Sequence, residues 1–241
     1  MPASGPVTRS TLRQQIAEAL RDEVLAGRLQ PGREFTVKQI AEQYGVSATP
    51  VREALVDLSA QGLLDSDQHK GFRVHQFTID DYRDMVEARS LIVDGILRHH
   101  PRGGARNGTG HGCVSDEALG SVRRRAEAAA RAARAGDLDI LIGYDVRFWR
   151  ELCELVVNHY IADFLHRLRV QAWVFAVPRL RGDRRMRDWL WSGHEDLAEA
   201  VAAGSARQVA TVLGAYHAHS LSWADHLERL SVPRGAPERP P

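Results

Sequence analysis

The chain has 241 residues, of which 44% are apolar and 26% charged, and its net charge at pH 7 is +1. These values describe an ordinary soluble globular protein, large enough for one large domain or two small ones. No stretch resembles a signal peptide or a membrane span, and Cys113 and Cys153 form neither a disulfide framework nor a zinc motif. A reducing cytoplasm, with no membrane partner, is the expected location.

The first part of the sequence predicts three helices. Residues 1–9 are expected to be a flexible arm, and residues 10–26 form an amphipathic pattern that Gly27 ends. Residues 36–58 then carry two short runs of apolar residues at helical spacing, separated by Gly45-Val46-Ser47. Two short helices joined by a glycine-containing turn predict a helix-turn-helix.

The start of the second helix in this pair carries short hydroxyl side chains and an arginine. Ser47 or Thr49 can cap the helix, and Pro50 is tolerated in its first turn. Ser47, Thr49 and Arg52 suit contacts to phosphates and base edges in a major groove. A plain helical hairpin with capping residues is the alternative. Because residues 1–76 contain nine basic and nine acidic side chains, any DNA affinity must come from a local cluster on one face.

A β-hairpin is predicted over residues 63–75, where two short strand patterns flank a polar turn. Three helices followed by a hairpin make a winged helix. The hairpin tip carries His69, Lys70 and Gly71, which can lie against a phosphate or enter a minor groove. A solvated tip without a partner is the alternative.

Beyond Phe77 the sequence shows no strand pattern and predicts about six helices, an all-α bundle. The expected helices cover residues 80–100, 116–135, 137–157, 161–177, 183–203 and 205–230, with Pro178 breaking the fourth. The Gly-rich segment 101–113 is expected to be a mobile loop, and residues 232–241 a disordered tail.

Three polar residues fall within the apolar stripes of this bundle, namely Asp145, His194 and His217. A buried carboxylate needs a cation, a donor network or a metal. The three residues could therefore converge on a ligand site. Alternatively, Asp145 bonds Arg89 or a tyrosine and the histidines are ordinary core residues.

The segment LQPGREFTVKQIAEQYGVSATPVREALVDLSAQGLL, followed by HKGFRV, resembles the DNA-binding domain of the GntR family of bacterial transcription regulators over residues 10–76. The resemblance implies that Lys38, Thr49, Arg52 and the wing tip His69–Gly71 contact DNA. The family usually has Arg where this chain has Ala48, so one DNA contact is expected to be missing.

The all-helical part resembles the FadR-type effector-binding domain, called FCD. In many members a D-x-x-F-H motif and two later histidines hold a divalent metal that helps to bind a carboxylate. Here Asp145 and His194 match, Trp149 replaces the first histidine, and Tyr216, one residue before His217, replaces the last. We therefore expect a weak or absent metal site and a cavity for an organic acid, with an acyl-CoA effector less favoured.

The sequence thus predicts a mainly α protein, with a winged helix-turn-helix at residues 10–76 and an FCD-like all-α effector-binding and dimerisation bundle at residues 77–231. It is expected to be a regulator and not an enzyme, binding a palindromic operator as a homodimer. The other hypothesis is a metal-dependent hydrolase that uses Asp145, His194 and His217, with the winged helix as a docking module. The candidate DNA-binding residues are Lys38, Ser47, Thr49, Pro50, Arg52, His69, Lys70 and Gly71; the candidate effector-binding residues are Arg89, Asp145, Trp149, His194, Tyr216 and His217.

Overall fold

A computed structural model describes residues 11–67, 71–99 and 116–231. The chain divides into two compact units. One comprises Met1–Gln76 with Trp173–Pro178, and the other comprises Phe77–Ala172 with Arg179–Pro241. The predicted arm, Gly-rich loop and tail, as well as His69 and Lys70 of the hairpin tip, lie outside the described residues.

The N-terminal unit contains three helices and a small sheet. Its elements are α1 (Leu12–Leu25), β1 (Glu34–Phe35), α2 (Val37–Tyr44), α3 (Ala48–Ala60), β2 (Leu64–Asp67) and β3 (Gly71–Val74). The strands are antiparallel in the order β1-β3-β2, and Asp67 pairs with Gly71 at the end of the hairpin. This arrangement is a winged helix, with the short strand β1 added to the two strands that the sequence predicted.

Local sequence signals fix the ends of these helices. α1 and α2 each begin at a capping box, formed by Thr11 with Gln14 and by Thr36 with Gln39. α2 ends at Gly45, whose left-handed backbone (φ 65°) turns the chain towards α3. Of the two predicted caps, Ser47 does occupy the N-cap position of α3, but its side chain makes no capping hydrogen bond.

The core of this unit forms where α1, α2 and β2 pack against α3 and β3 pairs with β2. Its most deeply buried side chains come from one face of each helix and from β3: Leu20, Val51, Leu55, Leu58 and Val74. Because one face of α3 is held by this core, the opposite face is left exposed, including Ala48, Thr49 and Arg52 near the start of the helix.

The C-terminal bundle contains six helices in the described part of the chain: α4 (Ile79–His99), α5 (Asp116–Ala135), α6 (Leu138–Val156), α7 (His159–Gly182), α8 (His194–Ala202) and α9 (Ala206–Ser231). α5 packs against α6 and α8, while α9 packs against α4 and α8. Phe148, Leu152, Leu197 and Leu213 lie in the resulting core. None of the described helices is long and apolar enough to cross a membrane.

Two helix boundaries in this unit differ from the prediction. α7 continues through Pro178 to Gly182, because a proline one turn from the helix end removes only one backbone hydrogen bond and its ring is exposed. The helix expected over residues 183–203 is split into a 3-10 turn (Met186–Trp189) and α8. At the break the Trp191 ring packs on Gly193, where an added Cβ would lie 2.7 Å from a ring carbon.

Candidate functional site

Two candidate side chains near the start of α3 are exposed. Thr49 and Arg52 both face solvent, and Arg52 makes no ion pair with any described residue. The first turn of the helix contains no acidic residue. Because the first backbone N–H groups of a helix have no partner within the helix and carry partial positive charge, such an end favours a phosphate. The arrangement leaves Thr49 and Arg52 free to contact DNA.

The other residues expected near this face are arranged differently. Ser47 is exposed and Pro50 is half-buried in the first turn. The Lys38 side chain, on α2, is 85% exposed and lies 3.8 Å from Glu42. Ala48 is exposed and is the first residue of α3, so its methyl group stands where the family usually presents an arginine. The missing DNA contact at this position remains a prediction.

Gly71 has a structural role within the wing. Its backbone has φ +98°, and an added Cβ would lie 2.6 Å from the carbonyl oxygen of Phe35 on the neighbouring strand. Any other residue would therefore be strained and would collide with β1. Gly71 is required for the hairpin to pair closely, whether or not it also touches DNA.

The candidate effector residues meet inside the C-terminal bundle around Asp145. The Asp145 side chain is almost fully buried, and its Oδ1 accepts hydrogen bonds from Trp149 Nε1 and from His194 Nε2, each at 3.0 Å. Since an ionised carboxylate only accepts, Nε2 is the protonated nitrogen of His194. The other ring nitrogen of His194 is buried and has no hydrogen-bond partner among the described residues.

Two buried arginines complete this cluster. Arg169 lies 3.7 Å from Asp145 Oδ2, and its guanidinium group stacks over the Trp149 ring at 4.3 Å. Arg89 and Arg169 both donate to the Tyr216 hydroxyl, Arg89 at 3.1 Å, and Arg89 also reaches Ser220. The two cations therefore converge on one oxygen.

The electrostatic environment shifts the pKa values of the two arginines in opposite directions. Burial lowers the pKa of Arg89, and Arg169 adds to this while Tyr216 opposes it. Burial would also lower the pKa of Arg169, but Tyr216 and Asp145 outweigh burial and raise it. Arg169 is thus partly compensated by its carboxylate, whereas Arg89 is the less compensated cation. Both remain protonated at neutral pH because arginine does not lose its proton in proteins.

His217 lies beside these cations and is neutral at pH 7. Burial, followed by the positive charges of Arg89 and Arg169, lowers its pKa from 6.5 to about 4. Its Nε2 atom is buried and has no hydrogen-bond partner among the described residues. His217 can therefore offer a hydrogen bond to a guest in the bundle without adding charge.

A cavity of about 100 Å³ opens next to this cluster. Its wall is mainly aliphatic, with Val93, Leu97, Leu152, Leu197, Val209 and Leu213 among the lining residues. The candidate residues Arg89, Trp149, Tyr216 and His217 also line it, together with Arg169. Asp145 and His194 are not among the lining residues. Asp145, which accepts from His194, holds Trp149 and Arg169 in place through the contacts described above.

The donor set does not fit a divalent metal. Among the described residues, no three His, Cys, Asp or Glu side chains lie close enough together to hold a metal ion. Trp149 offers only an N–H donor where a ligand is needed, and Tyr216 accepts from two guanidinium groups. A cation, Arg169, already lies against Asp145. The same geometry gives the hydrolase hypothesis no three-ligand centre in this part of the chain.

Sequence reasoning missed Arg169, Ser220 and Trp191. The signal for Arg169 was available, because it lies four residues after Leu165 and three before Ala172, on the stripe predicted to face inward. Trp191 packs against Trp149, His194 and Tyr216, with ring centroids 4.6 to 6.0 Å apart. Its position depends on the break before α8, which the helical pattern did not reveal.

Two family models match successive parts of this chain. The model of "Bacterial regulatory proteins, gntR family" matches residues 12–74, and that of the FCD domain matches residues 112–219. A protein of Paenarthrobacter nicotinovorans, named "Probable D-xylose utilization operon transcriptional repressor", is 30% identical over 82% of each chain. The chain belongs to the GntR family. Its pairing of a winged helix-turn-helix with an FCD domain is the FadR-type architecture, so it is a DNA-binding transcription regulator.

Other relatives agree with this assignment. The transcriptional regulator LutR of Bacillus subtilis is 25% identical over 79% of this chain and 90% of its own. The solved structure of E. coli McbR/YncC superposes with a TM-score of 0.66, covering 91% of this chain and all of that chain, at 19% identity. At that identity the superposition shows the fold alone.

Proposed function

We propose that this GntR regulator is a ligand-responsive repressor without enzymatic activity. It acts in the cytoplasm and binds a palindromic operator as a homodimer. A small organic acid or acyl-CoA-type effector in the C-terminal bundle modulates its DNA affinity. The observation that carries the proposal is the cavity of about 100 Å³ with two buried arginines in its wall. The repressor assignment is supported by the name of the relative from Paenarthrobacter nicotinovorans.

Operator recognition would follow from the exposed start of α3. A homodimer presents two such helices, and two-fold symmetry matches them to half-sites about 34 Å apart in successive major grooves. An effector that binds one arrangement of the dimer more tightly shifts the population of arrangements. The effector and the operator must then change each other's affinity by the same factor.

The operator-binding part of the proposal is tested with the Arg52→Ala variant. Loss of a base-reading arginine should weaken operator binding by roughly 1–3 kcal/mol, or about 5- to 150-fold. The matched control is Arg131→Ala, an exposed arginine in the C-terminal unit whose ion pair with Glu127 contributes little to stability. A mobility shift on DNA upstream of the protein's own gene, at stated salt, gives the measurement. Equal affinities of the two variants would remove Arg52 from the interface.

The effector part of the proposal predicts that ligand binding changes the affinity of the protein for DNA. Fluorescence anisotropy of labelled operator should shift at least fivefold in dissociation constant when a carboxylic acid or acyl-CoA from a panel is added. Sedimentation equilibrium of the free protein should give twice the monomer mass. A panel that leaves operator affinity within twofold would contradict the effector part, and a monomer at micromolar concentration would contradict the homodimer.

A further inference from the structure

The cavity wall carries an arrangement that selects one class of ligand. We propose that it binds a short apolar monocarboxylate through the guanidinium groups of Arg89 and Arg169, without any metal ion. The inference rests on the proposed function, because it assigns the effector of the same cavity. It also narrows the choice between a free acid and an acyl-CoA.

The first argument is charge. The buried cluster holds two guanidinium groups but one carboxylate, and the side chains of Arg89, Arg169 and Asp145 are all at least nine-tenths buried. His217 is neutral beside them. An excess of positive charge in a desolvated interior is unfavourable until an anion compensates it. A single negative charge balances the excess, whereas a dianion would overcompensate it.

The second argument is geometry. Arg89 and Arg169 point at the same spot, since both donate to the Tyr216 hydroxyl at the cavity wall. The Nε atom of Arg89 is buried without a hydrogen-bond partner in the described part of the chain, and the same is true of His217 Nε2. The planar guanidinium fork matches the two oxygens of a carboxylate. Both residues line the cavity, where a carboxylate would supply the missing partner.

The third argument is size and polarity. The cavity measures about 100 Å³, and its remaining wall is mainly aliphatic, with Cys153 and His166 as the exceptions. For comparison, an engineered apolar cavity of roughly 150 Å³ accepts a benzene molecule. The space suits a carboxylate with a short hydrocarbon chain and is too small for the nucleotide of an acyl-CoA, which would have to lie outside it. A thioester also lacks the anionic oxygens that two guanidinium groups would bind.

The fourth argument is that Arg169 already occupies the position that a metal ion bound to Asp145 would need. Asp145 is the one carboxylate of the cluster, and its oxygens are engaged by Trp149, His194 and Arg169. The guanidinium group of Arg169 lies where a cation would have to sit to use this carboxylate. Arg169 therefore supplies fixed positive charge to the cavity, and acid binding does not depend on a metal.

The test is calorimetric titration of the full-length protein, prepared and measured in EDTA, with sodium butanoate as the probe. We expect saturable binding with one site per subunit, unchanged when EDTA is replaced by zinc. Butanamide, which has nearly the same shape but no charge, should bind at least tenfold more weakly. Succinate, a dianion, and butanoyl-CoA should also bind at least tenfold more weakly.

A variant pair separates guanidinium recognition from general positive charge. Arg89→Lys keeps the charge but loses the fork, and should weaken butanoate binding at least tenfold. Arg98→Lys is the matched control, because Arg98 lies exposed on the same helix and, within the described ranges, donates only to the carbonyl of Asp94. If Arg89→Lys does not fold, the wild-type comparison of butanoate with butanamide, in EDTA and in zinc, carries the test alone.

Each outcome of these titrations supports or overturns a particular part of the proposal. Binding that disappears in EDTA and returns with zinc overturns the inference, as do equal affinities for butanoate and butanamide or no binding of butanoate at all. If butanoate fails while another compound shifts operator affinity, the proposed regulator stands and this ligand class falls. If butanoate binds as expected but leaves operator affinity unchanged, the ligand class stands and the effector role falls.

Discussion

Replacement of Asp145 by asparagine tests the buried polar cluster most directly. The substitution keeps the shape of the side chain and one acceptor oxygen, which can still accept from both Trp149 and His194, because both donate to Oδ1. It removes the countercharge of Arg169, which is 3.7 Å away and buried. The variant therefore isolates the charge of Asp145 from its volume.

The magnitude follows from that distance. Two unit charges 3.7 Å apart interact by roughly 4 kcal/mol at an effective dielectric constant of about 20. Removing one partner of a buried ion pair typically costs about 3–5 kcal/mol, because the remaining charge stays desolvated. We expect Asp145→Asn to lower the free energy of unfolding of the C-terminal unit by about 3 kcal/mol.

Urea unfolding at pH 7, followed by circular dichroism at helical wavelengths, measures this loss. Asp139→Asn is the matched control on the same helix, because its pair with Arg181 is exposed and should contribute less than about 1 kcal/mol. Arg169→Met and the double variant complete a double-mutant cycle, and a coupling energy above about 2 kcal/mol is expected. Equal small losses for Asp145→Asn and Asp139→Asn would refute the reasoning.

Two further predictions concern local strain and pH. Gly71→Ala should destabilise the N-terminal unit by at least about 2 kcal/mol, because the new methyl group would collide with the carbonyl oxygen of Phe35. Gly45→Ala should cost only about 1 kcal/mol, because Gly45 also has a positive φ (+65°) but no atom lies within 4 Å of the added Cβ. Thermal melts of the two variants compare them directly, and equal melting temperatures would exclude the collision. The pKa of His217 is lowered to about 4 in the folded state, so its contribution to stability is complete above pH 6.5 and lost as the pH falls from 6.5 towards 4. His217→Gln should reduce the drop in urea midpoint between pH 7 and 4.5, and an unchanged drop would contradict this.

The N-terminal unit could be predicted because its signals are local. Glycine at the turn, apolar residues at helical spacing and alternating residues in the hairpin each act within a few positions of one another. The two-residue strand β1 escaped prediction because Glu34 and Phe35 gain their pairing only from Arg73 and Phe72, almost forty residues later. Ser47 shows that a local signal can also mislead, since it has a capping side chain at the N-cap position but makes no capping hydrogen bond.

The site in the C-terminal bundle was harder to predict, because it depends on which helices pack against each other. Periodicity placed Asp145 and His194 inward, and both are buried. It could not say that Asp145 faces Arg169, on α7, and not Arg89, on α4. Nor could it show that the chain breaks at Gly193 so that Trp191 packs on the same cluster. Contacts between distant helices decide the chemistry, and one sequence carries no direct record of them.

Trp149 and Arg169 together explain why the incomplete ligand set need not leave a defective site. A metal ion supplies positive charge to a cavity but can dissociate, and its affinity depends on the protonation of its ligands. A guanidinium group is covalently part of the chain and stays charged at all physiological pH values. Trp149 holds one oxygen of Asp145 through its indole N–H and covers Arg169 with its ring, which keeps that charge in place. On our proposal the regulator therefore senses its acid independently of metal supply, and the loss of the histidine at position 149 is compensated by the arginine that its aromatic replacement supports.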